Sequence, residues 1–193
     1  PDPSPWEEGA AGANLNDPRG WPGVFVKNLP FRLTEDQARV CREFEQDLHS
    51  PMPMNRLLQG DVGSGKTVVS LYAMVVAAAG GAQAALMAPT ELLAQQHANT
   101  IRKLTACLPE LKTVLLIGSD SPAERQAHLQ ALADGSARIA VGTHALFQEQ
   151  VEFANLGLVI VDEQHKFGVQ QRQRLIEKGT HPDLLVATAT PIP

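Results

Sequence analysis

Residues Gly60-Asp61-Val62-Gly63-Ser64-Gly65-Lys66-Thr67 follow the order Gly, four free positions, Gly, Lys and then Ser or Thr, the pattern of a phosphate-binding loop. Upstream, Asn55-Arg56-Leu57-Leu58-Gln59 reads as a short strand. Downstream, Val68 to Ala79 is a mostly apolar run that ends at Gly80-Gly81, a helix stop. Strand, glycine loop and helix is the context the chemistry needs. The glycines let backbone N–H groups turn inward around the β- and γ-phosphates, and the helix N-terminus adds a favourable dipole. Lys66 brings a cation to the phosphates, and the Thr67 hydroxyl can ligate Mg²⁺. A plain turn between strand and helix would explain the glycines but not Gly-Lys-Thr at this offset, so the stretch is read as a nucleoside triphosphate site.

At 193 residues, 44% of them hydrophobic, the chain has material for one core and a tail rather than two full domains. Its formal charge of −5 excludes a protein that grips nucleic acid by bulk charge, so any such contact must be local. Cys41 and Cys107 are the only cysteines; without a C-x-x-C pair or a His cluster at ligand spacing they suggest neither a disulfide framework nor a zinc site. No stretch has the basic-then-apolar form of a signal peptide, and Val68 to Ala79 is too short to cross a bilayer. A soluble, cytoplasmic protein is expected.

Residues 1–28 are rich in Pro, Gly, Ala and Asn, show no period of 2 or 3.6, and are read as a linker or disordered segment in which Trp6 and Trp21 could dock on the folded part. From residue 29 to 193 the pattern is that of a single domain. Thr34, with Gln37 three residues on, has the form of a capping box that opens a helix with Val40, Phe44 and Leu48 on one side and an end before Pro51. After the loop, apolar runs at 84–88, 113–117, 138–141, 158–161 and 184–187 alternate with helical stretches. Near-continuous runs of this kind suit parallel strands buried on both faces. The intervening helices are expected at Glu91–Leu104, from the capping box Ser121-Pro122-Ala123-Glu124 to Asp134-Gly135, and at Gln170–Lys178. The alternation implies an α/β fold, a doubly wound parallel sheet with ligands at the carboxyl ends of its strands.

Leu158-Val159-Ile160-Val161 runs into Asp162-Glu163-Gln164-His165, which puts two carboxylates at such a strand end. Asp162 is then placed to hold Mg²⁺, directly or through water, and Glu163 to orient and deprotonate an attacking water. Taken alone, Asp-Glu after a strand is equally a helix N-cap and a first-turn acid; the phosphate loop upstream favours hydrolysis.

Together with Ala88-Pro89-Thr90-Glu91-Leu92-Leu93-Ala94, Gly142-Thr143-His144-Ala145-Leu146, Asp162 to Val169 and Ala187-Thr188-Ala189-Thr190-Pro191-Ile192-Pro193, the phosphate loop occurs in the order of superfamily 2 helicases. The chain resembles that family from about residue 29 onward, most nearly its members that act on branched DNA. The resemblance implies the first RecA-like, ATP-binding motor domain of a DNA helicase used in recombination, repair and stalled-fork processing. Lys66, Asp162, Glu163 and His165 match catalytic positions, with Thr67 and Asp162 on Mg²⁺. Gln37, with Phe31 and Leu33, resembles the element that reads adenine, although a capping glutamine also explains Gln37. Pro89, Thr90 and Glu91 match the first DNA-contacting motif and Gly142, Thr143 and His144 resemble the second; ordinary N-caps explain either locally. His165, Thr188 and Thr190 match residues that couple hydrolysis to movement.

Gln164 belongs to the branched-DNA version of the motif, while Lys166 stands where Arg is expected and loses a bidentate fork. Transcription-repair coupling translocases share the Phe167-Gly168-Val169 run and remain an alternative, as do two readings from other classes, a P-loop kinase for a small acceptor and a nucleotide-dependent binding module. Arg172, Arg174 and Lys178 read as a solvated basic face. The resemblance further implies partners within the same protein: a second RecA-like domain that closes the ATP cleft with an arginine finger, and an N-terminal wedge domain. A finger is worth about 10³ to 10⁵ in rate, so residues 1–193 alone are expected to bind ATP weakly, hydrolyse it hardly at all and not unwind DNA.

Overall fold

The computed structural model describes residues 19–60, 65–162 and 169–189. Within them the chain runs α1 (Trp21–Lys27), α2 (Glu35–Leu48), β1 (Asn55–Gln59), α3 (Lys66–Ala79), β2 (Gln83–Met87), α4 (Glu91–Leu104), β3 (Lys112–Leu116), α5 (Pro122–Ala133), β4 (Ala137–Gly142), a 3₁₀ turn (His144–Phe147), β5 (Leu156–Asp162), α6 (Val169–Ile176) and β6 (Asp183–Thr188). The six strands make one sheet in the order β1-β6-β5-β2-β4-β3, with every neighbouring pair parallel.

That order fixes which helix covers which face. The chain moves one way across the sheet from β1 to β2 to β3 and returns through β4, β5 and β6. Because parallel crossovers are right-handed, the outward connections α3 and α4 lie on one face and the return connections α5 and α6 on the other. The buried residues divide accordingly. Ala84, Leu86, Leu158 and Ile160 join Val69, Ala98 and Ile101 of α3 and α4 in one apolar cluster. Ala85, Met87, Val159 and Val161, one residue out of phase, join Leu132 of α5 and Leu175 of α6 in the other.

Helix α3 is buried from Val68 to Ala79, and a helix apolar all round must be covered on every side. The sheet covers one side and α2 another. The rest is covered by α1, which corrects the linker reading for residues 21–27 of the stretch 1–28, residues 1–18 lying outside the described ones: Trp21 and Phe25 are buried in the same cluster, and Phe25 lies 6.5 Å from Tyr72 of α3, ring to ring. Composition hid this helix, whose buried residues are Trp21, Pro22 and Phe25. Trp6 lies outside the described residues. The remaining α-helices and strands fall within two residues of their expected bounds, and the 3₁₀ turn had none. Thr34 caps α2 reciprocally with Gln37, Ser121 caps α5 with Glu124, and Gly135 at φ 80° follows the last turn of α5.

One buried polar residue escaped the apolar pattern. Gln83 is 1% exposed, donates through Nε2 to the carbonyls of Leu132 and Ala137 at 3.0 and 2.8 Å, and accepts from Asn155 N at 2.8 Å. From the start of β2 its amide thereby satisfies backbone groups in the last turn of α5, at the start of β4 and just before β5, a buried bonded network of the kind that sets register.

Candidate nucleotide site and the strand ends beside it

The carboxyl ends of β1, β6 and β5 stand side by side. Gln59 pairs in register with Thr188, Ala187 pairs with Asp162, and Gly60 N extends the ladder by donating to Thr188 O at 3.2 Å. Beyond Gly60, Asp61, Val62, Gly63 and Ser64 lie outside the described residues. The loop's exit is described: Gly65 caps α3 at φ 82°, ψ 20°, a left-handed conformation that costs a residue with Cβ about 1–2 kcal/mol. Lys66 Nζ donates back to Gly60 O, bridging the two ends of the loop. Thr67 is exposed in the first turn of α3.

A Cβ on Gly65 would lie 1.9 Å from Gln37 Nε2, so Gln37 sits against the loop. The two ends of its amide point to different neighbours: Oε1 accepts from Thr34 N at 2.9 Å while the Nε2 end faces Gly65. Phe31 is 47% exposed and Leu33 packs at the margin of the α3 cluster, both leading into the same cap.

Asp162 ends β5, and its Oδ2 lies 2.7 Å from Nε2 of His97 on α4. Nothing in the sequence motifs singles out His97. Thr188 is buried at 5% exposure, with its carbonyl taken by Gly60. Glu163, Gln164 and His165, and likewise Thr190, lie outside the described residues. No cluster of three His, Cys, Asp or Glu able to hold a metal occurs among the described residues. The Thr67 hydroxyl and the Asp162 carboxylate are hard oxygen donors, and Mg²⁺ is commonly held by one or two protein oxygens with waters and substrate phosphates completing its shell. The donor set therefore fits Mg²⁺ arriving with a nucleotide. Those two residues would hold it, and once bound it would neutralise phosphate charge.

The next strands along the edge, β2 and β4, end in the two stretches matched to DNA contact. Thr90 caps α4, accepting from Leu93 N at 3.2 Å, and the Glu91 carboxylate accepts from Gly118 N at 2.9 Å and Ser119 Oγ at 3.3 Å. Pro89 is half-buried before them. The ordinary-cap reading thus holds for Thr90. It does not hold for Thr143, whose side chain caps nothing: it is 3% exposed and its hydroxyl has no partner among the described residues. Gly142 is held close, since a Cβ there would meet Leu116 O at 2.5 Å, and His144 is exposed. The basic face is reduced by Lys178, which lies past the end of α6 and donates to the carbonyls of Gln148 and Val151 at 2.9 and 2.7 Å. Burial lowers its pKa from the ordinary lysine value.

Residues 34–193 match the family model described as DEAD/DEAH box helicase. The chain belongs to that family, and its sheet with helices on both faces is the RecA-like fold. Among curated proteins it is similar to the ATP-dependent DNA helicase RecG of Synechocystis, 56% identical over 171 residues that cover 88% of this chain and 20% of that protein. A solved structure of RecG bound to a three-way DNA junction matches with a TM-score of 0.78 at 47% identity, over 88% of this chain and 22% of that one. The DEAD-box helicase Mss116 bound to ssRNA and UDP-BeF matches at 17% identity with a TM-score of 0.73, covering 89% of this chain and 38% of that one, which shows the shared fold. The chain spans between 20% and 25% of the length of the RecG proteins it matches.

Proposed function

We propose that this chain is the ATP-binding motor domain of a RecG-like DNA helicase. The observation that carries the reading is that Gly60, to which Lys66 donates from the start of α3, stands beside Thr188 and Asp162 on three adjacent strand ends. Lys66 and the loop amides hold the phosphates, Thr67 and Asp162 take Mg²⁺, and Glu163 and His165 act on the water and on coupling. Gln37 reads adenine with its Nε2 end while its Oε1 caps α2.

The adjoining ends of β2 and β4, with Pro89, Thr90, Glu91, Gly142, Thr143 and His144, follow a DNA strand through its backbone by local contacts, as suits a chain of net charge −5. The whole protein acts in the cytoplasm on branched or forked DNA, together with a second RecA-like domain and a wedge domain of the same protein. Among the described residues no helix is long and apolar enough to cross a membrane. The similarity to RecG at 56% identity supports the branched-DNA reading over a coupling translocase or a small-molecule kinase.

Calorimetric titration with ATP and Mg²⁺ tests the site. Lys66→Ala is expected to weaken binding by about 10-fold or more, the worth of one charged hydrogen bond to phosphate; unchanged affinity would mean the loop does not hold phosphate.

A further inference from the structure

Asp162 is held by a helix that the phosphate-loop motifs do not include. His97 stands seven residues past Thr90 on α4, about 10 Å along the helix axis, and its Nε2 lies 2.7 Å from Asp162 Oδ2. The two side chains retain 18% and 15% exposure, so the bond is largely shielded from water, where a hydrogen bond to a carboxylate is strengthened. Toward a carboxylate that only accepts, the imidazole is the donor in this bond. The helix that carries His97 is anchored at its other end: Thr90 caps it and Glu91 ties its first turn to Gly118 and Ser119 beyond β3.

We propose that His97 is a positioning residue for the metal-holding carboxylate. By binding Oδ2 it fixes the rotation of the Asp162 carboxylate and leaves the remaining lone pairs for Mg²⁺ or its water, the role that outer-shell donors play in metal sites generally. It also makes α4, whose capped start lies in the first DNA-matched stretch, part of the metal site. This inference rests on the nucleotide-site reading above.

The test titrates the chain with ATP in Mg²⁺ and again in EDTA. Relative to wild type, His97→Ala is expected to lose about 10-fold in affinity in Mg²⁺ and to keep its affinity in EDTA. His97→Gln, which retains an N–H donor, recovers most of the loss. Equal affinities in Mg²⁺ for wild type and His97→Ala, or an equal loss in both conditions, overturn the proposal, since a purely structural bond between α4 and β5 has no reason to act through the metal. A second readout is independent of whether the variants fold. In the wild-type chain saturated with ATP, the ¹⁵N resonance of His97 Nε2 should shift when Mg²⁺ is added, and an unmoved resonance overturns the assignment. If wild type binds no ATP in either condition, or Lys66→Ala binds as wild type does, the nucleotide-site reading falls and this inference with it; failure at His97 alone leaves that reading standing.

Discussion

At the start of α2, Thr34 Oγ1 accepts from Gln37 N at 3.2 Å and Gln37 Oε1 accepts from Thr34 N at 2.9 Å. At the start of α5, Ser121 and Glu124 exchange the same two bonds at 3.3 and 3.1 Å. The local chemistry is one motif used twice, and the surroundings differ. Glu124 also accepts from the Ser121 hydroxyl at 2.6 Å, and its helix packs on the return face of the sheet, away from the strand ends that carry Gly60 and Asp162. Gln37 has a second polar end, and α2 packs against α3, so that end meets Gly65 at the mouth of the phosphate loop. An amide at the third helical position can cap and still offer a donor outward; a carboxylate there can only accept. The difference teaches that a capping box predicts where a helix begins, while its neighbours decide whether it does anything else.

The largest expected effect lies under the α2 side of this comparison. Phe25→Ala removes a fully buried ring from the cluster that seats α1 and α2 on α3 and should cost about 3–5 kcal/mol in denaturant unfolding. A loss below about 1 kcal/mol would mean α1 is not part of that seat.

Next is Gly65→Ala, which combines a left-handed backbone with overlap against Gln37 Nε2. It should weaken ATP binding by about 10-fold or more, given about 1–2 kcal/mol of backbone strain. In denaturant unfolding Gly65→Ala should also lose stability, and adding Gln37→Ala should recover part of that loss of stability, because the overlap is gone and the strain remains. No recovery would separate the cap from the loop.

A smaller and more selective effect is expected from Gln37→Glu, which keeps an acceptor for Thr34 N and deletes the outward amide donor. Helix α2 should stay capped by hydrogen exchange while the preference for ATP over GTP falls in competition titrations. Glu124→Gln, the reverse change on α5, should alter neither nucleotide preference nor affinity.

The smallest effect separates the boxes by pH. Bonds from the Ser121 hydroxyl and backbone N–H hold the Glu124 carboxyl below its ordinary value. A depressed carboxyl contributes stability above its unfolded value of about 4.3 and loses it as pH falls through the folded one. The amides at the start of α5 should therefore lose exchange protection on acidification below about pH 4, before those at the start of α2, whose cap contains no titrating group. Simultaneous loss would show that Glu124 contributes nothing particular to its helix.

Most of the fold was legible because each element announces itself locally. The apolar runs 158–161 and 184–187 are near-continuous, as strands covered on both faces must be, and Thr34, Ser121 and Thr90 mark helix starts within one residue. Helix α1 was not legible, since seven residues containing Pro22 and Gly23 carry little helical pattern, and only an all-apolar α3 in need of cover gives it a place. Beside the proposed site, the places of Lys66 and Thr67 at the start of α3 and of Asp162 at the end of β5 followed from the pattern of strand, loop and helix. His97 did not, because it meets Asp162 across 65 positions of chain, and a lone His on an amphipathic helix has no spacing signal.

The sequence by itself thus determined the elements from α2 onward, the parallel class of the sheet and the placing of Gly60 and Asp162 at the ends of β1 and β5, because caps, glycines and apolar runs are signals carried within a few positions of one another. Only the tertiary structure decided that α1 belongs to the core, that Gln37 faces Gly65 and that His97 holds Asp162. Each of these is a contact between elements brought together by the strand order β1-β6-β5-β2-β4-β3, and that order comes from packing α3 and α4 on one face of the sheet and α5 and α6 on the other, which no local stretch encodes.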